Sequence, residues 1–249
     1  MFKHQGKTRT LSHNLRIASL LSFVAGLVNV AGFFAIAKLT TNVTGHFAFF
    51  ADEIIQQNFG EAFVYFLYIF FFFLGSFVSS ILVELTARIS EQYIYIVPTS
   101  IEALVLVLMA WLGGGLIATA PHSIAFSLLF AMGLQNSLVT RISNASVRTT
   151  HLTGLFTDLG IELSQLFFYK LKEQRQQLLA SLKLRGIIIL FFFTGGICGG
   201  VLYQQLQLQV LYIAAAALLA GLVYDSVKFK LIMLRRKLYT DKTTGHNPH

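Results

Sequence analysis

Six stretches of this chain are apolar enough and long enough, at ~17 to 25 residues each, to cross the ~30 Å hydrocarbon core of a bilayer as helices. They run roughly Ile17–Ala37, Ala62–Val83, Tyr93–Leu112, Leu116–Val139, Gly186–Tyr203 and Val210–Val227. Lipid offers no water to backbone N–H and C=O groups, so each stretch must bond within itself, as an α-helix does. Composition agrees. Of 249 residues, 55% are hydrophobic, 12% are charged and 24 are Phe, an apolar share beyond that of a soluble domain. The first partner implied is the lipid bilayer. A cleaved leader competes for the first stretch, because basic residues precede it and Ala35-Ile36-Ala37 resembles a small-residue cleavage site. Its apolar run outlasts the ~7 to 15 residues of a leader's hydrophobic region, so it reads as a retained span. Cys198, the single cysteine, falls in the fifth stretch and is expected to be a core thiol.

The net charge of +8 raises the question of nucleic acid, and its distribution answers it. Of the Lys and Arg residues, 4 precede the first span, 1 is Arg88, 7 lie from Arg141 to Arg185 and 6 follow Val227, while Lys38 alone falls on the other side. That split of 18 to 1 places both termini in the cytoplasm by the positive-inside rule. The chain divides into a basic N-terminus (1–16), a six-helix membrane domain (17–228) and a basic tail (229–249); the run "KFKLIMLRRKLYT", from Lys228 into that tail, suits a lipid-facing anchor. No nucleic-acid recognition motif accompanies these charges, and no nucleic-acid partner is expected.

The chain also repeats itself. "TTNVTGHFAFFADEIIQ" (Thr40–Gln56) aligns with "TTHLTGLFTDLGIELSQ" (Thr149–Gln165) at a shift of 109 residues, with seven identities. Upstream, "GLVN" (Gly26–Asn29) matches "GLQN" (Gly133–Asn136); downstream, "FFFLG" (Phe71–Gly75) matches "FFFTG" (Phe191–Gly195). Each copy, 17–112 and 116–228, carries three apolar stretches, and an odd number turns the second copy over in the membrane. The expected fold is therefore an all-α integral membrane protein with six transmembrane helices as a 3+3 inverted repeat, each half holding a broken or re-entrant Thr-Gly segment.

A broken helix frees backbone groups that must face protein or a wet cavity. Thr44 or Thr153 is placed to cap the helix that follows, and Gly45 or Gly154 permits close backbone approach. Helix starts present free N–H donors and partial positive charge, and paired breaks in corresponding positions point to a transporter's central site. Amphipathic helices lying along the two interfaces are the other reading, with Phe47, Phe50 and Ile54, or Leu155, Leu159 and Leu163, facing lipid. Asn29, Gln135 and Asn136 are polar residues at membrane depth, expected either to line a cavity or to bond helices together. His46 and His151 lie in the breaks and titrate near neutral pH when unperturbed. Glu102, inside the third span, is the proton-coupling candidate, with a hydrogen bond to a neighbouring helix as its structural alternative. Gly75 with Ser79, and Gly195 with Gly199, form small-xxx-small faces for helix packing. No HExxH, GxSxG or paired-cysteine pattern appears, so no catalytic residue, metal or cofactor is expected.

"GLVN", "TTNVTGHFAFFADEI", "AMGLQNSLVTRI" and "VRTTHLTGLFTDLGIEL" together resemble the YoaK-like family, bacterial inner-membrane proteins with a domain of unknown function. The resemblance runs roughly from Leu15 to Val227, and "VRTTHLTG" is its most specific part. It implies a six-span protein of the bacterial inner membrane and brings no substrate or activity. The residues themselves favour a secondary transporter or permease for a small polar or anionic solute. Thr44, Gly45, His46, Thr153, Gly154, Asn29, Gln135 and Asn136 would be the solute-binding residues. A non-transporting scaffold or assembly factor is the rival, and assembly into a homo-oligomer is open to either.

Overall fold

The computed structural model describes residues 11–89, 94–143 and 147–224, and the regular structure among them is helical. In chain order the elements are α1 (Leu11–Ile36), α2 (Val43–Ile55), α3 (Phe59–Ile89), α4 (Ile96–Thr119), α5 (Pro121–Ile142), α6 (Leu152–Phe168) and α7 (Lys172–Leu206). A 3₁₀ turn at Gln207–Val210 and a last helix, α8 (211–224), follow. The basic tail expected at 229–249 lies outside the described residues.

Five segments among the described residues are long and apolar enough to cross a membrane, the last running from Lys172 to Tyr224 through α7, the 3₁₀ turn and α8. Their outer faces are as greasy as the interior. Phe63, Phe66, Phe70, Phe73 and Phe77 stand exposed along α3, and Trp111, Leu190, Phe193, Ile197 and Val201 do the same on α4 and α7. A water-soluble monomer rarely exposes an apolar surface of that extent, whereas lipid covers it without cost. The chain is a multi-pass membrane protein.

Three sequence expectations need correction here. "GGG" at 113–115 does not separate two spans: α4 runs through it to Thr119, and the break comes at Ala120, where Pro121 opens α5 at its first turn. Proline fits there because its missing N–H would have had no intrahelical partner. The fifth apolar stretch begins within a longer helix, since α7 starts at Lys172. Cys198 is exposed on the outer face rather than buried in the core.

α1 and α5 occupy the centre, and the two copies exchange partners. α1 packs chiefly on α7, and α5 chiefly on α3. The crossings match residue for residue. A methyl at Gly26 would run into the Phe192 carbonyl, and at its repeat mate Gly133 into the Phe72 carbonyl. Reciprocally, Gly195 lies against the Phe23 carbonyl and Gly75 against that of Phe130. Four glycines thus bring backbones together where any side chain would hold them apart. Gly199 extends the first crossing along Leu27, with only 2.9 Å to its carbonyl oxygen for an added Cβ, and Ser79 is fully buried at the equivalent place on α3. Ser76 Oγ donates to the Gly133 carbonyl at 3.1 Å, tying the second crossing further.

Candidate functional site

Each Thr-Thr pair is fastened to the helix before it. Asn29 Oδ1 accepts from Thr40 N–H (3.1 Å), Thr41 N–H (3.2 Å) and the Thr41 hydroxyl (3.0 Å). In the second copy, Asn136 Nδ2 donates to Thr150 Oγ1 at 2.6 Å, and its Oδ1 accepts from Thr149 Oγ1 at 3.4 Å. Asn29 lies seven residues before the end of α1, and Asn136 six before the end of α5. At 1.5 Å per residue, each chain has turned back by ~10 Å before the next helix begins. Gly32 makes room for this return, because a Cβ there would sit 2.6 Å from Thr40 Cγ2. α2 and α6 therefore start alongside the long helices, not beyond their ends.

The caps fall two residues earlier than Thr44 and Thr153. Asn42 is the N-cap of α2, its Oδ1 accepting from Gly45 N–H at 3.0 Å; His151 is the N-cap of α6 and makes no side-chain cap bond. Asn is as good a cap as Thr or better, so sequence alone could not choose between neighbours. Gly154 lies beneath the His151 ring, where a Cβ would strike the imidazole.

Both helix starts open on one cavity of about 920 Å³. Thr41, Asn42, Thr44 and Gly45 line it from the first copy, and Thr150, His151 and Thr153 from the second. Asn29 and Asn136 also line it, as do the mates Phe72 and Phe192. Gln135 and Glu102 do not. Gln135 is fully buried, donating to the Leu21 carbonyl (3.0 Å) and to Thr149 Oγ1 (3.3 Å), so it holds the second break in place from behind. Glu102 is buried within α4, and its Oε1 has no hydrogen-bond partner among the described residues.

His46 turns away from the large cavity into a side pocket of about 160 Å³. Its Nε2–H donates to the Leu39 carbonyl at 2.9 Å, and its ring packs 5.0 Å from that of Tyr68. Burial pushes its pKa below the ordinary histidine value; the Leu39 bond opposes this and the Lys38 charge adds to it. Lys38 lines the same pocket, donating to the Tyr65 hydroxyl at 2.7 Å. Leu39, Asn42 and Gly45 border both spaces. The second copy is secured differently. Arg185 on α7 bonds Asp158 (3.0 Å) and Glu162 on α6, and also Ser181.

Sequence reasoning passed over Arg148 and Lys38 as site residues, treating them only as topology signals. Among the described residues, Arg148 is the sole Lys, Arg, Asp or Glu lining the large cavity. The signal was present: "KLTT" and "VRTT" each put a cation just ahead of Thr-Thr.

Among known proteins, the family model described as "Protein of unknown function (DUF1275)" matches residues 17–224. The chain belongs to the DUF1275 family. That match takes in both breaks and the cavity they share. The chain is also similar to UPF0700 transmembrane protein YoaK of Bacillus subtilis (strain 168), at 23% identity over 182 residues, covering 73% of this chain and 80% of that protein. No solved structure matches.

Proposed function

We propose that this DUF1275 protein is a secondary transporter or permease for a small polar or anionic solute, built as six spans in a 3+3 inverted repeat. In that reading α1, α3 and α4 form one half and α5, α7 and α8 the other, with α2 and α6 as the re-entrant segments. Both termini are cytoplasmic in this reading, which the 18 to 1 charge split supports, and the membrane is the bacterial plasma membrane. The chain carries out no catalytic step.

One observation carries the proposal: two helix starts, matched across the repeat, meet in one cavity whose largely apolar wall carries the side chains of Asn29, Asn136, Arg148 and several threonines. Freed backbone groups are tolerated at membrane depth where they line such a space, and repeat interfaces with discontinuous helices are where secondary transporters hold their solutes. A scaffold would be better served by a dry, Phe-packed centre. The test is an uptake and efflux metabolite screen comparing a deletion strain with its complemented parent. At least one solute should change in abundance on deletion and recover with the wild-type chain, but not with Gly45→Val or Gly154→Val expressed at equal level. Full recovery by both valine variants would remove the breaks from the site, and an unchanged metabolite profile would favour the scaffold.

A further inference from the structure

Charge on the described wall of the cavity is one-sided. Among the described residues, Arg148 lines it with no Asp or Glu on the wall and makes no salt bridge. Two other arginines of the second half are matched: Arg141 pairs with Glu84, and Arg185 with Asp158 and Glu162. Behind the partition formed by Leu39, Asn42 and Gly45 stands a second cation, Lys38, whose Nζ lies 4.5 Å above the Tyr65 ring. In the repeat alignment Arg148 coincides with Leu39, and both line the cavity. A guanidinium presents a planar fork of donors that matches a carboxylate or phosphate. The starts of α2 and α6 add partial positive charge of the same sense, although the assignment rests on Arg148.

Resting on the transport reading above, we infer that the solute is an organic oxyanion whose carboxylate or phosphate group is held by Arg148, with Lys38 as the cation of the adjoining pocket. A cavity of about 920 Å³ has room for a small organic molecule. The wall suits such a body: hydroxyls of Thr41, Thr44, Thr150 and Thr153 on one part, rings of Phe72 and Phe192 on another.

The experiment uses the purified full chain in detergent, at ionic strength fixed with sodium chloride. Thermal denaturation is followed with succinate, glycerol 3-phosphate, and the neutral succinamide and glycerol, since a ligand of the folded state raises its melting temperature. Succinate or glycerol 3-phosphate should stabilise the protein and the neutral compounds should not; which anion works separates carboxylate from phosphate. Arg148→Gln should weaken that binding by at least about tenfold, the scale of a lost bond to a charged group. Arg148→Lys should keep part of it. The double change Leu39→Arg with Arg148→Leu, which moves the cation to the aligned position on the same wall, should restore part of it even if Arg148→Gln alone folds poorly. Equal stabilisation by succinamide, wild-type binding in Arg148→Gln, or no stabilisation by either anion would overturn the oxyanion assignment while leaving transport of a neutral solute standing. Oxyanion binding that depends on Arg148, without flux of that anion in proteoliposomes, would overturn transport and leave the binding site.

Discussion

Asn42 closes the first turn of α2 through one bond to Gly45 N–H, and that bond is measurable. Asn42→Ala should cost ~0.5 to 2 kcal/mol of stability, and Asn42→Asp, which keeps the acceptor, much less. Thermal unfolding in detergent reads both. His46 supplies a pH dependence with a definite sign. Its folded pKa lies below the unfolded value near 6.5, so the unfolded chain takes up more protons as pH falls. Its contribution is present above that value and lost as pH falls below it. The groups facing it are Lys38, Tyr65 and Tyr68. Wild type should melt lower at pH 5 than at pH 7.5, and His46→Phe should narrow the gap. An unchanged gap would move the acid sensitivity to another group. Glu102 can be tested through function: if it couples a proton, Glu102→Gln should fold normally and abolish the pH dependence of whatever flux is found, and if it is structural the dependence should persist.

At the scale of helices, the matched glycine crossings carry the architecture. Gly26→Ala and Gly133→Ala should each destabilise the protein severely, because the new methyl meets a backbone carbonyl that cannot rotate away, whereas Gly60→Ala and Gly186→Ala meet nothing within 4 Å and should be nearly silent. Yield of monodisperse protein and its melting temperature decide this. The three islands of the repeat were legible because Gly, Asn and Thr at helix crossings and breaks are constrained by geometry, and the second copy preserves them. Other features were not legible. Internal likeness says that Gly26 and Gly133 are equivalent, but not that each packs against the other half. Depth in the membrane can be counted along a helix. Its rotation cannot, which is why the sequence groups Gln135 and Glu102 with the site although packing turns both away from the cavity. Triple glycine falls between the third and fourth apolar stretches of the sequence, yet α4 passes straight through it, as lipid-embedded helices tolerate.

For the molecule as a whole, the inverted arrangement proposed above has a direct chemical readout. In a Cys198→Ala background, single cysteines at Asn58 and Gln174 should react with an impermeant thiol reagent from opposite faces of the membrane. Removing Cys198 is tolerable because its side chain packs in no core. Labelling of both positions from the outside would refute the inversion. The exchanged partnership of α1 with α7 also dictates an order of events during synthesis. α1 leaves the ribosome early, but the carbonyls that fit its glycine face belong to a helix made much later. At roughly 5 to 20 residues per second, α1 must wait on the order of ten seconds in the membrane with that face bare. A chain released after its first half would keep α1 without its main partner, while separately made halves, meeting in one membrane, would each hold the surface the other lacks.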